Sequence, residues 1–79
     1  MTREQFEKLP LRFVSHMNMG DEHCITYKAY TFIGDLFVCV HQPYEDGSPK
    51  GRKITHYELN GKIYKSLDKL LQATEAGNE

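Results

Sequence analysis

Cys39 and His41 stand two residues apart in Phe37-Val-Cys-Val-His41, a run whose β-branched and aromatic residues read as a strand, so both side chains point to one face. Thiolate and imidazole are the two side chains that zinc prefers, and His16, His23, Cys24 and His56 add further donors of the same kind. The spacing supports neither metal nor nucleophile chemistry. No C-x-x-C or H-x-x-x-H pair is present, and scattered Cys and His are far commoner than sites. Residues i and i+2 on a strand lie about 6.6 Å apart, too far for His41 to take a proton directly from Cys39. The acidic pairs Asp21-Glu22 and Glu45-Asp46 fall in turn-like segments, where solvated charge explains them. Phosphate-loop, dinucleotide, nucleophile-elbow and H-E-x-x-H motifs are missing. The sequence points to a non-enzymatic chain that needs no cofactor and no metal.

Charge is distributed more informatively. From Gly47 to Lys65, Lys50, Arg52, Lys53, Lys62 and Lys65 stand against Glu58 alone, a net +4, which leaves −5 for the rest of a chain whose total is −1. Lys53, His56, Tyr57, Lys62, Tyr64 and Lys65 mix cations with rings, the combination that holds a phosphate backbone and stacks a base. Lysine on an edge strand also prevents edge-to-edge pairing, and that reading of the same residues carries more weight.

These residues need elements to place them. Thr2 to Lys8 reads as a short helix, with Thr2 as N-cap and Gln5 completing a capping box before Pro10 ends it. Leu11 to Met19 alternates as a strand, with Leu11, Phe13, Met17 and Met19 on one face and Arg12, His16 and Asn18 on the other. Cys24 to Gln42 reads as a hairpin turning at Gly34-Asp35. Pairing Ile33 with Leu36 places Tyr30 opposite Cys39 and Cys24 roughly 20 Å from Cys39, beyond disulfide reach. Reduced cysteines fit a cytoplasmic protein. Pro43 to Arg52 reads as a mobile loop. Lys53 to Leu59 and Lys62 to Lys65 form strands joined at Asn60-Gly61, a type I′ turn that sets Tyr57 opposite Tyr64. Ser66 caps a helix through Ala76 with Leu67, Leu70, Leu71 and Thr74 on one stripe, Gly77 as its C′ residue, and residues 77–79 as a frayed tail.

The tail Asn60-Gly-Lys-Ile-Tyr-Lys-Ser-Leu-Asp-Lys-Leu-Leu71 resembles the hairpin-then-helix ending of small phage and bacterial accessory domains. It covers about a sixth of the chain, its turn and cap explain it, and it carries over no functional residue.

The 79 residues, 39% hydrophobic and 27% charged, make one small folded domain, 1–79. The expected fold is α+β: a five-stranded antiparallel meander with a short N-terminal helix and a C-terminal helix on one face. A small β-barrel with terminal helices is the alternative. No apolar run is long enough to span a membrane, and the start lacks a secretion signal.

The hairpin is apolar on both faces near its turn, and one helix covers only one of them. Tyr30, Phe32 and Phe37 are thus left as anchors for a protein partner or a second copy, with Lys50, Arg52 and Lys53 as rim or guide. The expected function is docking to another protein or complex, in the manner of a phage-type accessory inhibitor of a host system. Nucleic-acid or nucleotide binding by the 50–65 hairpin is the alternative.

Overall fold

The computed structural model of the chain describes residues 1–75. The elements are α1 (Arg3–Glu7), β1 (Arg12–Asn18), β2 (Glu22–Thr31), β3 (Gly34–Glu45), β4 (Ser48–Pro49), β5 (Ile54–Leu59), β6 (Lys62–Tyr64) and α2 (Leu67–Ala73). All pairings are antiparallel, in the spatial order β1-β2-β3-β5-β6, with β4 attached to the end of β3. This is the expected α+β meander. The sheet stays open, with β1 and β6 as its edges, so the barrel alternative does not hold.

The sixth strand lies inside the stretch that reads as a loop in sequence. β3 continues through Pro43 and Tyr44, turns at Asp46 and Gly47, both at positive φ, and returns as β4. The Asn60-Gly61 turn has positive φ at both residues and sets Tyr57 opposite Tyr64, as the type I′ reading requires.

The central hairpin turns two residues earlier than its glycine implies. Thr31 pairs with Gly34 and Ala29 with Leu36, which leaves Phe32 and Ile33 as the two turn residues. Gly34 serves as the first residue of the returning strand, at φ 139°, and a Cβ there would lie 2.1 Å from the Asn60 Oδ1. Asn60 approaches because its Nδ2 donates to the Ile33 carbonyl at 2.8 Å. Tyr30 therefore faces Asp35, Cys24 faces His41 and Cys39 faces Thr26. The two thiols are diagonal neighbours roughly 7–8 Å apart rather than at the expected separation, and both are free. The shift is by an even number of residues, so the expected division of the hairpin between two faces survives.

On β1 the expected alternation fails. The register to β2 slips between Phe13 and Ser15, a bulge at Val14. Phe13 pairs with Tyr27 and His16 with Ile25, on one face; Met17 pairs with Cys24, on the other. Phe13 and Met17 thus lie on opposite sides.

The core occupies one face. Leu36 and Leu70 are fully buried and, with Val38 and Leu59, are ringed by Phe6, Leu9, Tyr27, Ile33, Val40, Tyr57, Tyr64 and Leu67. Both helices pack here. Thr2 and Gln5 close the capping box that starts α1, and Phe6 meets Tyr57 edge-on at 5.8 Å. Ser66 Oγ accepts the Lys69 N–H at 3.2 Å to start α2. Arg3 joins the helices through Asp68 at 2.8 Å. The second helix ends at Ala73, short of the expected end, where the Thr74 hydroxyl donates to the Leu70 carbonyl at 2.8 Å. Gly77 and the tail 77–79 lie outside the described residues.

Candidate functional site

The face of the sheet opposite the helices is open, and pairing lays its side chains in cross-strand rows. One row runs Arg12, Lys28, Phe37, Glu58, Ile63; the next Ser15, Thr26, Cys39, His56; the third Met17, Cys24, His41, Ile54. At the hairpin tip, Tyr30 is 66% and Phe32 79% exposed, while Phe37 is half-buried beside them. Lys28 ties Tyr30 to Phe37, while Phe32, in the turn, borders the helix side of the sheet. The Lys28 Nζ lies 4.7 Å from the Tyr30 ring centre and 5.4 Å from that of Phe37, and pairs with Asp35 at 3.6 Å. A cation held over two rings favours one orientation of both.

Lys50, Arg52 and Lys53 do not rim these rings. β5 runs antiparallel to β3 and begins opposite His41, whereas Tyr30 faces Asp35. The basic trio therefore lies roughly 20 Å along the sheet from the aromatic tip. The residues of the nucleic-acid alternative are divided between the two faces. Tyr57 and Tyr64 belong to the packed helix side, with Lys62 in register there, and His56 lies on the open face. Burial pushes the Tyr57 hydroxyl above its ordinary pKa, against the opposing pull of Arg3. Packed against the core, the Tyr57 and Tyr64 rings lie on the face away from His56 and cannot join it in one stacking surface.

The register also assembles a polar chain that sequence spacing hides. Glu22 accepts from His41 Nδ1 at 2.9 Å, and His41 Nε2 meets His56 Nδ1 at 3.0 Å with the rings stacked. A carboxylate oxygen accepts, so His41 Nδ1 is the donor to Glu22, and the donor between His41 Nε2 and His56 Nδ1 follows from the tautomers of the two rings. Cys24, rather than Cys39, is the thiol beside His41, with Sγ 4.0 Å from the same Nε2. Only the true hairpin register could have revealed that neighbour. Cys39 sits under Thr26, whose hydroxyl donates to it at 3.8 Å; burial nevertheless pushes its thiol pKa up.

The other two histidines pair as well. His16 Nε2 lies 2.8 Å from His23 Nδ1 on the helix side, beyond the helices, and His23 stacks on Tyr44 at 3.9 Å. Among the described residues no group of three or more His, Cys, Asp or Glu side chains is arranged to hold a metal ion. An open cleft of about 490 Å³ lies apart from this chemistry, on the helix side, lined by Phe32, Leu59, Asn60, Lys62, Tyr64 and Thr74 among others. No helix among the described residues is long and apolar enough to cross a membrane.

Fold and site together define a small open meander with one helix-packed face and one bare face carrying an aromatic tip. No protein-family model, curated protein or solved structure matches the chain.

Proposed function

We propose that this chain is a non-enzymatic binding protein that docks to another protein or complex through its hairpin tip and the open sheet face beside it. Tyr30, Phe32 and Phe37 serve as aromatic anchors. One observation carries the reading: two large rings, Tyr30 and Phe32, are exposed at the hairpin tip, and Lys28 steadies the first of them against Phe37. Clustered, pre-oriented aromatics next to charged groups are the usual centre of a protein interface. Asp35 and Glu58 border the rings, and the distant Lys50, Arg52 and Lys53 act as a long-range electrostatic guide. Inhibition by steric occupation, as by an accessory protein of the phage type, is the concrete form of this activity.

The test is capture of a partner from host lysate on immobilised protein, followed by the same capture with Tyr30→Asp and Phe32→Asp. Both side chains are exposed, so the fold tolerates the changes. The expected result is a specific partner lost with either variant, since truncating an anchor costs about 2 kcal/mol or more of binding. Full retention by both variants would refute the assignment of the tip.

A further inference from the structure

We propose that the chain forms a two-fold dimer through antiparallel pairing of β1 with β1 of a second copy, which joins two sheets into one. This strand contributes little to a lone molecule. All seven of its residues are exposed, and none belongs to the core or packs against it. Yet Leu11, Phe13, Val14, Met17 and Met19, in or beside it, are five of the nine large apolar side chains exposed among the described residues. Arg12 is the only Lys, Arg, Asp or Glu in the strand, and no proline blunts it. An apolar edge of this kind is a template for another strand.

The ladder to β2 determines which backbone groups are free. Met19 donates its N–H to the Glu22 carbonyl at 2.9 Å, and Asn18 and Met17 face His23 and Cys24. Antiparallel ladders alternate, so Met17 turns its N–H and C=O toward β2, while His16 and Asn18 turn theirs to the free edge. A second β1 centred on Met17 then sets His16 opposite Asn18 on both sides of the axis. Each of these pairs exchanges two backbone hydrogen bonds, and Met17 meets Met17 in the closely spaced position between them.

The charges suit this register. His16 faces a neutral amide, and the two Arg12 side chains stay roughly 30 Å apart along the paired strands. The bulge at Val14 limits regular pairing to the segment after it. Met17 and Met19 are the exposed apolar side chains inside that segment, while Leu11, Phe13 and Val14 lie at or before the bulge, so the contact is small and rests on the backbone ladder with the two methionines. Association through so small a contact is weak and concentration-dependent.

Sedimentation equilibrium of the full chain from micromolar to millimolar concentration tests the interface, with circular dichroism to confirm that each variant is folded. The wild type is expected to pass from monomer to dimer with concentration. Met17→Lys places two ammonium groups face to face at the axis, and Asn18→Pro deletes an outward N–H while sparing the ladder to β2. Each is expected to weaken the dimer at least about tenfold. Phe32→Asp, at the hairpin tip, leaves the dimer unchanged, which separates this interface from the docking surface. A wild type that stays monomeric overturns the proposal. So does a dimer that survives both β1 variants, or one that dissociates with Ile63→Lys at the opposite edge instead.

Discussion

Gly34 and Asn60 offer a sharp test of the hairpin register. Gly34→Ala does two things at once. It forces a residue with a Cβ to hold φ 139°, a strained conformation that costs about 1–3 kcal/mol. It also drives the new methyl into the Asn60 side chain, 2.1 Å from Oδ1. Asn60 must then leave the Ile33 carbonyl, a loss of about 1 kcal/mol. The single substitution should therefore cost about 2–4 kcal/mol, which for a domain of this size lowers Tm by roughly 10–25 °C.

Asn60→Gly removes the same hydrogen bond but keeps a residue that accepts φ 52°, so it costs about 1 kcal/mol. In the double variant the methyl no longer meets the Asn60 side chain and the hydrogen bond is lost only once. The double variant should thus be about 1 kcal/mol more stable than the sum of the singles predicts. Urea unfolding followed by circular dichroism measures all four proteins. Additivity within about 0.3 kcal/mol would mean that Asn60 does not brace the turn, and the register argued from it would fall.

Four further outcomes follow from particular side chains. Cys39 and Tyr57 both have raised pKa values, so the folded state keeps protons that the unfolded chain releases. Their stabilising effect is present at neutral pH and is lost as pH rises past 9.0 and then 10.0, which a series of alkaline urea midpoints should show, with Cys39→Ala abolishing the first decline. Cys24, beside His41, should alkylate faster at neutral pH than Cys39, whose thiolate burial disfavours; mass spectrometry of partly modified protein gives the order. Leu70 is the one fully buried residue of α2, so Leu70→Ala should cost about 2–5 kcal/mol, while Leu71→Ala, only partly buried, should cost less. With its basic and aromatic residues divided between two faces, the 50–65 hairpin should show no measurable salt-sensitive binding of labelled single-stranded oligonucleotide; strong, salt-sensitive binding would restore the nucleic-acid reading.

Much of the architecture was legible because it rests on local chemistry. The Thr2–Gln5 box, the Asn60-Gly61 turn and the Ser66 cap are each written in two or three adjacent residues, and each forms where those residues stand. The division of the hairpin into faces was legible too, since it depends only on odd and even positions. What could not be read were the features set by partners distant in sequence. Gly34-Asp35 looks like a turn because glycine accepts positive φ. Gly34 takes that φ in the returning strand, where Asn60, twenty-six residues later, closes over it. The bulge at Val14 depends on β2, and it reverses half of β1. Once the register moved, the separation of the cysteines and the neighbour of His41 moved with it. The aromatic tip was found from composition and parity, and the Glu22–His41–His56 chain, being purely cross-strand, was not.

The placement of the core has a consequence for how the molecule comes apart. The sheet belongs to a body 47 Å long and about 20 Å across, yet every core residue of the sheet lies toward the Phe32 end, under the helices. The opposite third, with the Gly20 and Gly47 turns, is held by backbone ladders, histidine contacts and polar contacts such as Glu45 with Lys50 and Asn18 with Gly20. Opening free energies should therefore form a gradient along the strands rather than a single value. Amides near His23 and Gln42 should exchange through local fraying, those of Leu36 and Leu59 only on global unfolding, and proteases should cut first at the two glycine turns. The chain would then behave less as a uniform slab than as a ribbon clamped at one end, free to adjust its far half while the clamp keeps its shape.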